Sequence, residues 1–193
     1  FAQPLSLLEA STAVRELGRD ASRFTLRIVD ETVSTNTDLV AAAQAGAPRG
    51  TVIVAEWQSG GRGRMGRPWH AGPGGTLTFS LLWRFPQGAG FLSGLSLAVG
   101  VALVRAFEAL GVADAGLKWP NDVVWAGSKL AGILIEMHGD MLGPSAAVIG
   151  VGVNVRLAER VRRRIDQPAV DLESACGRPI DRNLVFARIL NAL

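Results

Sequence analysis

The segment KWPNDVVWAGSKLAGILIE, running from Lys118 to Glu136, decides how this chain folds. It holds two apolar, β-branched runs, Lys118–Trp125 and Leu130–Met137, the second continuing one residue beyond the quoted stretch. The intervening Ala126-Gly127-Ser128 is a turn signal, so the spacing predicts a β-hairpin. Both lysines of the chain, Lys118 and Lys129, fall in this segment, whereas arginine supplies the positive charge 18 times elsewhere. A compact ammonium on a flexible stem meets a phosphate or carboxylate as a point charge, which a planar guanidinium does not replace. Chance clustering of two solvated side chains is the competing explanation.

The pattern on either side of the hairpin continues as sheet. Phe24–Asp30 alternates apolar and polar residues, Thr51–Trp57 is rich in β-branched residues, and Thr76–Trp83 and Ala146–Val155 read as further strands. Ser34 to Asp38 offers helix N-caps ahead of Leu39–Ala45, which Gly46 and Pro48 end. Leu92, Leu95, Val99, Leu103, Phe107 and Leu110 recur at helical spacing until Gly111, and Asp171–Ala175 and Asp181–Leu193 read as helices, the latter capped by Asp181. Short connections between most strands predict an α+β fold, a mixed, largely antiparallel sheet with helices on one face. The domain is expected over residues 24–193, preceded by an N-terminal extension over 1–23.

A chain of 193 residues, 48% hydrophobic and 19% charged, is globular and long enough for one sizeable core. A net charge of +3 does not demand a nucleic-acid partner. Cys176 stands alone, which excludes an internal disulfide and predicts a reducing, cytoplasmic setting. Phe1 opens a mixed amphipathic stretch with no secretory pattern. Residues 85–104 carry no charge, but Pro86, Gln87 and Gly88, followed by Gly90, Gly94 and Gly100, predict a buried helix rather than a membrane span.

Gly61-Arg62-Gly63-Arg64-Met65-Gly66-Arg67 matches the dinucleotide fingerprint GxGxxG in form only. That fingerprint needs a helix directly after the glycines and an acidic residue about 20 positions on. Here Pro68 and the run Gly72-Pro73-Gly74-Gly75 follow, and no carboxylate occurs between Glu56 and Glu108. Arg62, Arg64, Arg67, Arg84 and Arg105 therefore lack a local partner. Three of them sit in a loop whose glycines let backbone amides face a ligand, which predicts an anion site without choosing the anion.

Six elements occur in order: Ser34-Thr35-Asn36; Glu56-Trp57-Gln58 leading into GRGRMGRPW; GGTLTFSLLW (74–83); KWPND (118–122); KLAGILIE (129–136); and IGVGVNV (149–155). In order and spacing this set resembles the catalytic domain of biotin–protein ligases, over about residues 25–193. The resemblance implies a sheet of the class II aminoacyl-tRNA synthetase type. It also implies a two-step reaction, in which biotin and ATP with Mg2+ give biotinyl-5′-AMP and a carrier lysine then takes the biotin. The partner implied is the biotin carboxyl carrier domain of a biotin-dependent carboxylase, with no DNA and no membrane; homodimerisation is left open.

The resemblance also assigns roles. Lys118 and Arg64 are the expected catalytic cations at the junction of carboxylate and α-phosphate, where like charges must be neutralised. Arg62 and Arg67 would hold the loop over that junction and exclude water. Asn121 would face magnesium or phosphate, Lys129 the phosphate or ribose, and Asn154 the nucleotide. For biotin, Ser34, Thr35 and Gln58 would supply polar contacts, the Gly74-Gly75 turn close backbone, Trp69 a wall, and Gly132, Ile133 and Leu134 the floor. Simpler alternatives stand beside these: Ser34, Thr35 and Asn36 as an N-cap, and Gly132 as relief for strand packing.

Arg156–Arg164 would close over the adenylate or form a solvated helix face. His70, His138 and Cys176 lack motif partners for a metal or a nucleophile.

With about two dozen residues before Phe24, the winged helix of biotin repressors is expected to be absent, and the family's C-terminal SH3-like domain is expected to be absent or truncated. Lipoate–protein ligase shares the fold and the adenylate chemistry, but GRGRMGR and KWPND favour biotin. A nucleic-acid-binding module and a small-ligand sensor are the rivals from other classes; the first predicts salt-sensitive polyanion binding.

Overall fold

The computed structural model describes residues 6–86, 88–139 and 142–193; residues 1–5 of the expected extension and Gln87 of the uncharged stretch lie outside them. The described residues form seven strands: β1 Thr25–Thr32, β2 Thr51–Gln58, β3 Thr76–Phe85, β4 Gly116–Lys118, β5 Asp122–Trp125, β6 Ser128–Gly139 and β7 Ser145–Asn154. The helices are α1 Ala10–Leu17, α2 Thr35–Gln44, α3 Leu95–Ala109, α4 Glu159–Arg162, α5 Leu172–Cys176 and α6 Arg182–Ala192. One sheet results, in the order β1-β2-β3-β7-β6-β5-β4. β1 and β2 pair in parallel, with α2 as their crossover, and the remaining neighbours are antiparallel.

Period-two alternation splits the central strands between two layers. Leu77, Phe79 and Leu81 of β3 and Ala147, Ile149, Val151 and Val153 of β7 enter the main core. There they meet Ala13 and Leu17 of α1, Leu103 and Phe107 of α3, and Phe186 and Ile189 of α6. Phe79 and Phe186 meet edge to face with ring centroids 5.2 Å apart. On the opposite face Leu39 of α2 packs on Ile53, Leu82, Ala146 and Val148. α1, α3 and α6 thus cover one face, and α2 covers part of the other. Farther along that second face, β3 presents Thr78 and Ser80, β7 presents Gly150 and Gly152, and β6 presents Gly132 and Leu134. The registers pair Ser80 with Gly150, Gly150 with Leu134, and Gly152 with Gly132.

Three boundaries differ from the sequence reading. Lys118–Trp125 is not one strand: the cis Trp119–Pro120 peptide lies in a turn that folds β4 back on β5 and sets Lys118 opposite Asp122. Proline's missing N–H removes a ladder bond there. α2 begins at Thr35 rather than Leu39, and α3 at Leu95 after a 3-10 turn over Ala89–Leu92. Residues 6–23 are not peripheral to packing, because Leu8, Ala13 and Leu17 belong to the main core.

A buried ion pair ties that N-terminal segment down. Arg182 Nη2 donates to Glu56 Oε2 at 2.7 Å and to the Ser6 carbonyl at 2.5 Å, Arg182 Nη1 donates to the Thr76 carbonyl at 3.3 Å, and Glu56 Oε1 accepts the Leu8 amide. Side-chain exposures of 3% and 10% mean that removing one partner strands a charge in the core. Arg182→Ala should therefore lower the unfolding free energy by about 3–5 kcal/mol. Urea denaturation would measure it, with Arg182→Met combined with Glu56→Gln recovering part of the loss.

Candidate active site

On the second face of the sheet, beyond α2, lies a cleft of about 470 Å³, within the range of small-molecule sites. Its floor follows from the alternation along β7. Val151 and Val153 point into the core, so Gly150 and Gly152 must point the other way. Neither position tolerates a side chain. A Cβ on Gly150 would lie 2.2 Å from Asn36 Oδ1, and one on Gly152 would lie 2.6 Å from the Trp69 indole. A Cβ on Gly132, opposite Gly152, would meet Lys129 Cε at 3.1 Å and Trp69 Cζ3 at 3.3 Å. Trp69 therefore lies close against bare backbone, and its buried Nε1 has no hydrogen-bond partner within the protein.

One end of the cleft is a chain of polar side chains, buried at Thr35, Asn36 and Ser80 and half-buried at Gln58 and Glu136. Gln58 Oε1 accepts the Thr35 amide at 2.7 Å and lies 3.0 Å from Thr35 Oγ1. Thr35 Oγ1 is 2.8 Å from Ser80 Oγ, which donates to Asn36 Oδ1 at 2.5 Å. Asn36 Nδ2 donates to Glu136 Oε2 at 2.7 Å, and Glu136 Oε1 pairs with Arg62 Nη2 at 3.2 Å. Ser34 occupies the N-cap position of α2 but makes no side-chain cap bond, so the capping alternative is not realised there.

The arginine loop closes on itself at the other side. Gly63 N donates to the Arg67 carbonyl at 2.7 Å and Trp69 N to the Gly61 carbonyl at 2.8 Å, around a 3-10 turn at Arg64–Gly66. Met65 sits at its tip with φ 56° and is 93% exposed. Arg62, Arg64 and Arg67 line the cleft. Arg62 finds its carboxylate on β6, and Arg84, outside the loop, donates instead to the carbonyls of Ala43 and Ala47.

Of the expected residues, Ser34, Thr35, Gln58, Trp69, Asn121, Lys129, Gly132, Ile133, Leu134 and Asn154 also line the cleft. Several are already engaged. Lys129 Nζ lies 2.8 Å from Asp122 Oδ1 and 5.7 Å from the centre of the Trp69 ring. Asn121 Nδ2 donates to the Ile133 carbonyl at 2.8 Å, and Asn154 Nδ2 to the carbonyls of Lys129 and Val170. Lys118, exposed on β4, is outside the lining, although Pro120 and Asn121 of the following turn are within it. Gly74 and Gly75 are outside it too. The close approach that Gly75 permits is to the Arg156 carbonyl, which would lie 2.6 Å from a Cβ at that position, and Gly75 borders a separate cavity of about 590 Å³.

Within Arg156–Arg164, Arg164 lines the cleft with Asp166. Arg162 is committed to Asp171 at 3.2 Å and to the Ala169 carbonyl at 2.6 Å, and Arg163 pairs with Glu159 one turn back.

Sequence reasoning missed Asn36, Ser80 and Glu136 as members of the site. The period of two on β6 puts Gly132, Leu134 and Glu136 on one face, a signal that was available. The partners across α2 and β3 were not.

Among the described residues no group of three or more His, Cys, Asp and Glu side chains could hold a metal ion. Asn121 contributes one neutral side chain, and the Asp122 carboxylate faces Lys129. That donor set fits a cation arriving on its own phosphate ligands, not one held by protein alone. Cys176 lies apart from the cleft; burial pushes its thiol up, against a lowering by Arg178 and with a further rise from Glu173, so it is a poor nucleophile. No helix among the described residues is long and apolar enough to cross a membrane.

The family model for the biotin/lipoate A/B protein ligase family matches residues 29–154. The bifunctional ligase/repressor BirA of Salmonella typhimurium is 33% identical over 99% of this chain, which spans 58% of that relative's length. The biotin–[acetyl-CoA-carboxylase] ligase of Mycobacterium tuberculosis is 38% identical over 96% of this chain and 68% of its own. The structure of biotin protein ligase from Aquifex aeolicus in complex with biotin and ATP superposes with a TM-score of 0.71 at 30% identity, covering 87% of this chain and 68% of that one. The glycine-floored cleft, its arginine loop and these likenesses lead to one conclusion: the chain belongs to the biotin/lipoate A/B protein ligase family, among the biotin protein ligases.

Proposed function

We propose that this chain activates biotin with ATP to biotinyl-5′-AMP and transfers the biotin to a lysine of a biotin carboxyl carrier domain, in a cytoplasmic setting. The observation that carries this reading is the floor of paired glycines between a buried polar cluster and a loop of three arginines. A fused bicyclic urea with an anionic tail has the same polarity along its length: groups that give and take hydrogen bonds at one end, apolar carbon between, a carboxylate at the other. Lipoate shares the tail but has a dithiolane head that satisfies no buried hydroxyl or amide. Stranding such groups costs more than a missing apolar contact, so Thr35 and Gln58, which line the cleft, favour biotin. The ligase names of the relatives and the biotin and ATP in the Aquifex complex support the same reading.

In the first step a carboxylate oxygen of biotin attacks the α-phosphorus of ATP, and the bond to the departing pyrophosphate breaks. Two anions must approach, so the site has to supply positive charge where they meet. We assign that to Arg64 and Lys118, with Arg62 and Arg67 holding the loop and excluding water from the mixed anhydride. Magnesium would come with ATP and neutralise phosphate charge, with Asn121 as the residue of this chain that would face it. Lys129 and Asn154 shape the nucleotide end, Lys129 as a cation steadied by Asp122 and Asn154 by tying β7 to the Val170 backbone. In the second step an uncharged carrier lysine attacks the acyl carbon, AMP leaves, and the amine's proton is released.

ATP–pyrophosphate exchange by the purified chain with biotin, with lipoate and with neither tests the reading; exchange supported by biotin alone is expected, and exchange with lipoate would move the assignment to the sister activity. Lys118→Ala should lower the biotin-dependent exchange rate by about 10²-fold or more with thermal unfolding unchanged, because the side chain is exposed. A near-normal rate would remove Lys118 from the chemistry. Gly152→Ala should displace Trp69 and raise the KM for biotin by about tenfold or more, again read by exchange kinetics.

A further inference from the structure

The direction of the buried hydrogen-bond chain is set by one charged group. A carboxylate only accepts, so Glu136 Oε2 fixes the Asn36 amide with its Nδ2 toward β6 and its Oδ1 toward Ser80. Ser80 must then spend its only hydrogen on Asn36. Thr35 Oγ1 lies 2.8 Å from Ser80 Oγ and 3.0 Å from Gln58 Oε1, and with the Ser80 hydrogen spent both can only accept from it, so its one hydrogen is shared between them. Gln58 Oε1 also accepts the Thr35 amide, and its Nε2 is left as a donor. One charge therefore propagates an order through three side chains: Thr35 gives to Ser80 and Gln58, Ser80 to Asn36, Asn36 to Glu136. The outcome is a Thr35 oxygen whose lone pairs are both left as acceptors beside a Gln58 donor, the pattern a cyclic urea requires.

Arg62 locks this arrangement from the other side. Its guanidinium only donates, and it occupies Glu136 Oε1 at 3.2 Å while also donating to Thr37 Oγ1 at 3.0 Å. Both oxygens of Glu136 thus face donors, one on α2 and one on the arginine loop. An amide in place of the carboxylate has a single oxygen. With that oxygen toward Arg62, its N–H2 faces Asn36, which must turn over; Ser80 then accepts from Asn36 and donates to Thr35, whose own hydrogen goes to Gln58 Oε1, so the chain reverses and one Thr35 lone pair is lost to the ligand.

We propose that Glu136 is a positioning residue that sets the hydrogen-bond polarity of the biotin end of the cleft through Asn36, Ser80 and Thr35, with Arg62 as the lock. This rests on the biotin reading of the site. Glu136 needs no contact with ligand to do so, which distinguishes it from the residues assigned above to biotin or phosphate.

A two-by-two comparison isolates the effect. Biotin affinity, measured by titration calorimetry without ATP, is compared for the unmodified chain, Glu136→Gln, Arg62→Ala and the double variant, with thermal unfolding confirming that each is folded. Glu136→Gln should weaken biotin by about tenfold while leaving ATP affinity within about twofold. Without the Arg62 guanidinium, the glutamine oxygen is free to accept from Asn36 and its N–H2 to face solvent, so the original direction returns. In the Arg62→Ala background the same substitution should therefore cost less than about twofold, a coupling that a purely packing role would not produce. Equal losses in both backgrounds, or no loss in either, would overturn the assignment alone. Failure of the unmodified chain to bind biotin would overturn the reading of the site and this assignment with it.

Discussion

β7 is buried along its whole length, and that double burial constrains everything around it. One face must fill the core beneath α3 and α6, which it does with Ala147, Ile149, Val151 and Val153. The other face begins as core, with Ala146 and Val148 under α2, and then loses its side chains at Gly150 and Gly152. A strand carrying large residues on both faces at that point would leave no room for Asn36 or for the Trp69 indole. The cleft is thus a gap in the second layer of the sheet, where α2 ends its cover and glycine replaces aliphatic packing. Its rigidity comes from the valines on the reverse side, so a ligand laid on it meets backbone that the core already holds in place.

The polar groups at the edge of that gap are what make the gap specific. Buried hydroxyls and amides are tolerable only when partnered, and here they partner one another from α2, β2, β3 and β6. No two of the four elements that supply Thr35, Gln58, Ser80 and Glu136 are held by this network alone. The sheet registers and the packing of Leu39 set their separation, and the hydrogen bonds then need only be short and directional.

The sequence displayed the strands, the hairpin around Gly127 and the α6 cap at Asp181 because each rests on local rules of alternation, turn chemistry and capping. It misrepresented Lys118–Trp125 as continuous, since the β-branched and aromatic run Val123–Trp125 outweighed the turn at Trp119–Asn121. It concealed the role of residues 6–23, whose anchor is a contact from Arg182 to Glu56 and the Ser6 carbonyl across most of the chain. The ordered motifs located most of the cleft. Gly74 and Gly75 were expected at the ligand because glycine pairs suggest close approach, but the sequence cannot say what approaches; for Gly75 it is the Arg156 backbone. Glu136 went unnoticed for the same reason. The alternation along β6 sets it on the face of Gly132 and Leu134, but its partners lie 100 and 74 positions away and the strand alone does not say what it meets.

The cations of the cleft divide by whether the protein has already spent them. Lys129 faces Asp122, Arg62 faces Glu136, and Arg162, just behind the rim, faces Asp171. Among the described residues Arg64, Arg67 and Arg164 line the cleft without an ion pair. The distribution follows from the stretch between Glu56 and Glu108, which lacks carboxylates: the loop arginines can be neutralised only by residues that the fold brings from elsewhere in the chain, and among the described residues it brings one, Glu136. A paired cation holds its geometry and contributes little net field, whereas an unpaired one in a partly enclosed cleft is an attraction waiting for an anion. Pairing Arg62 therefore serves the floor and leaving Arg64 unpaired serves the chemistry, so that a single loop both anchors itself to the sheet and presents charge to whatever the sheet holds.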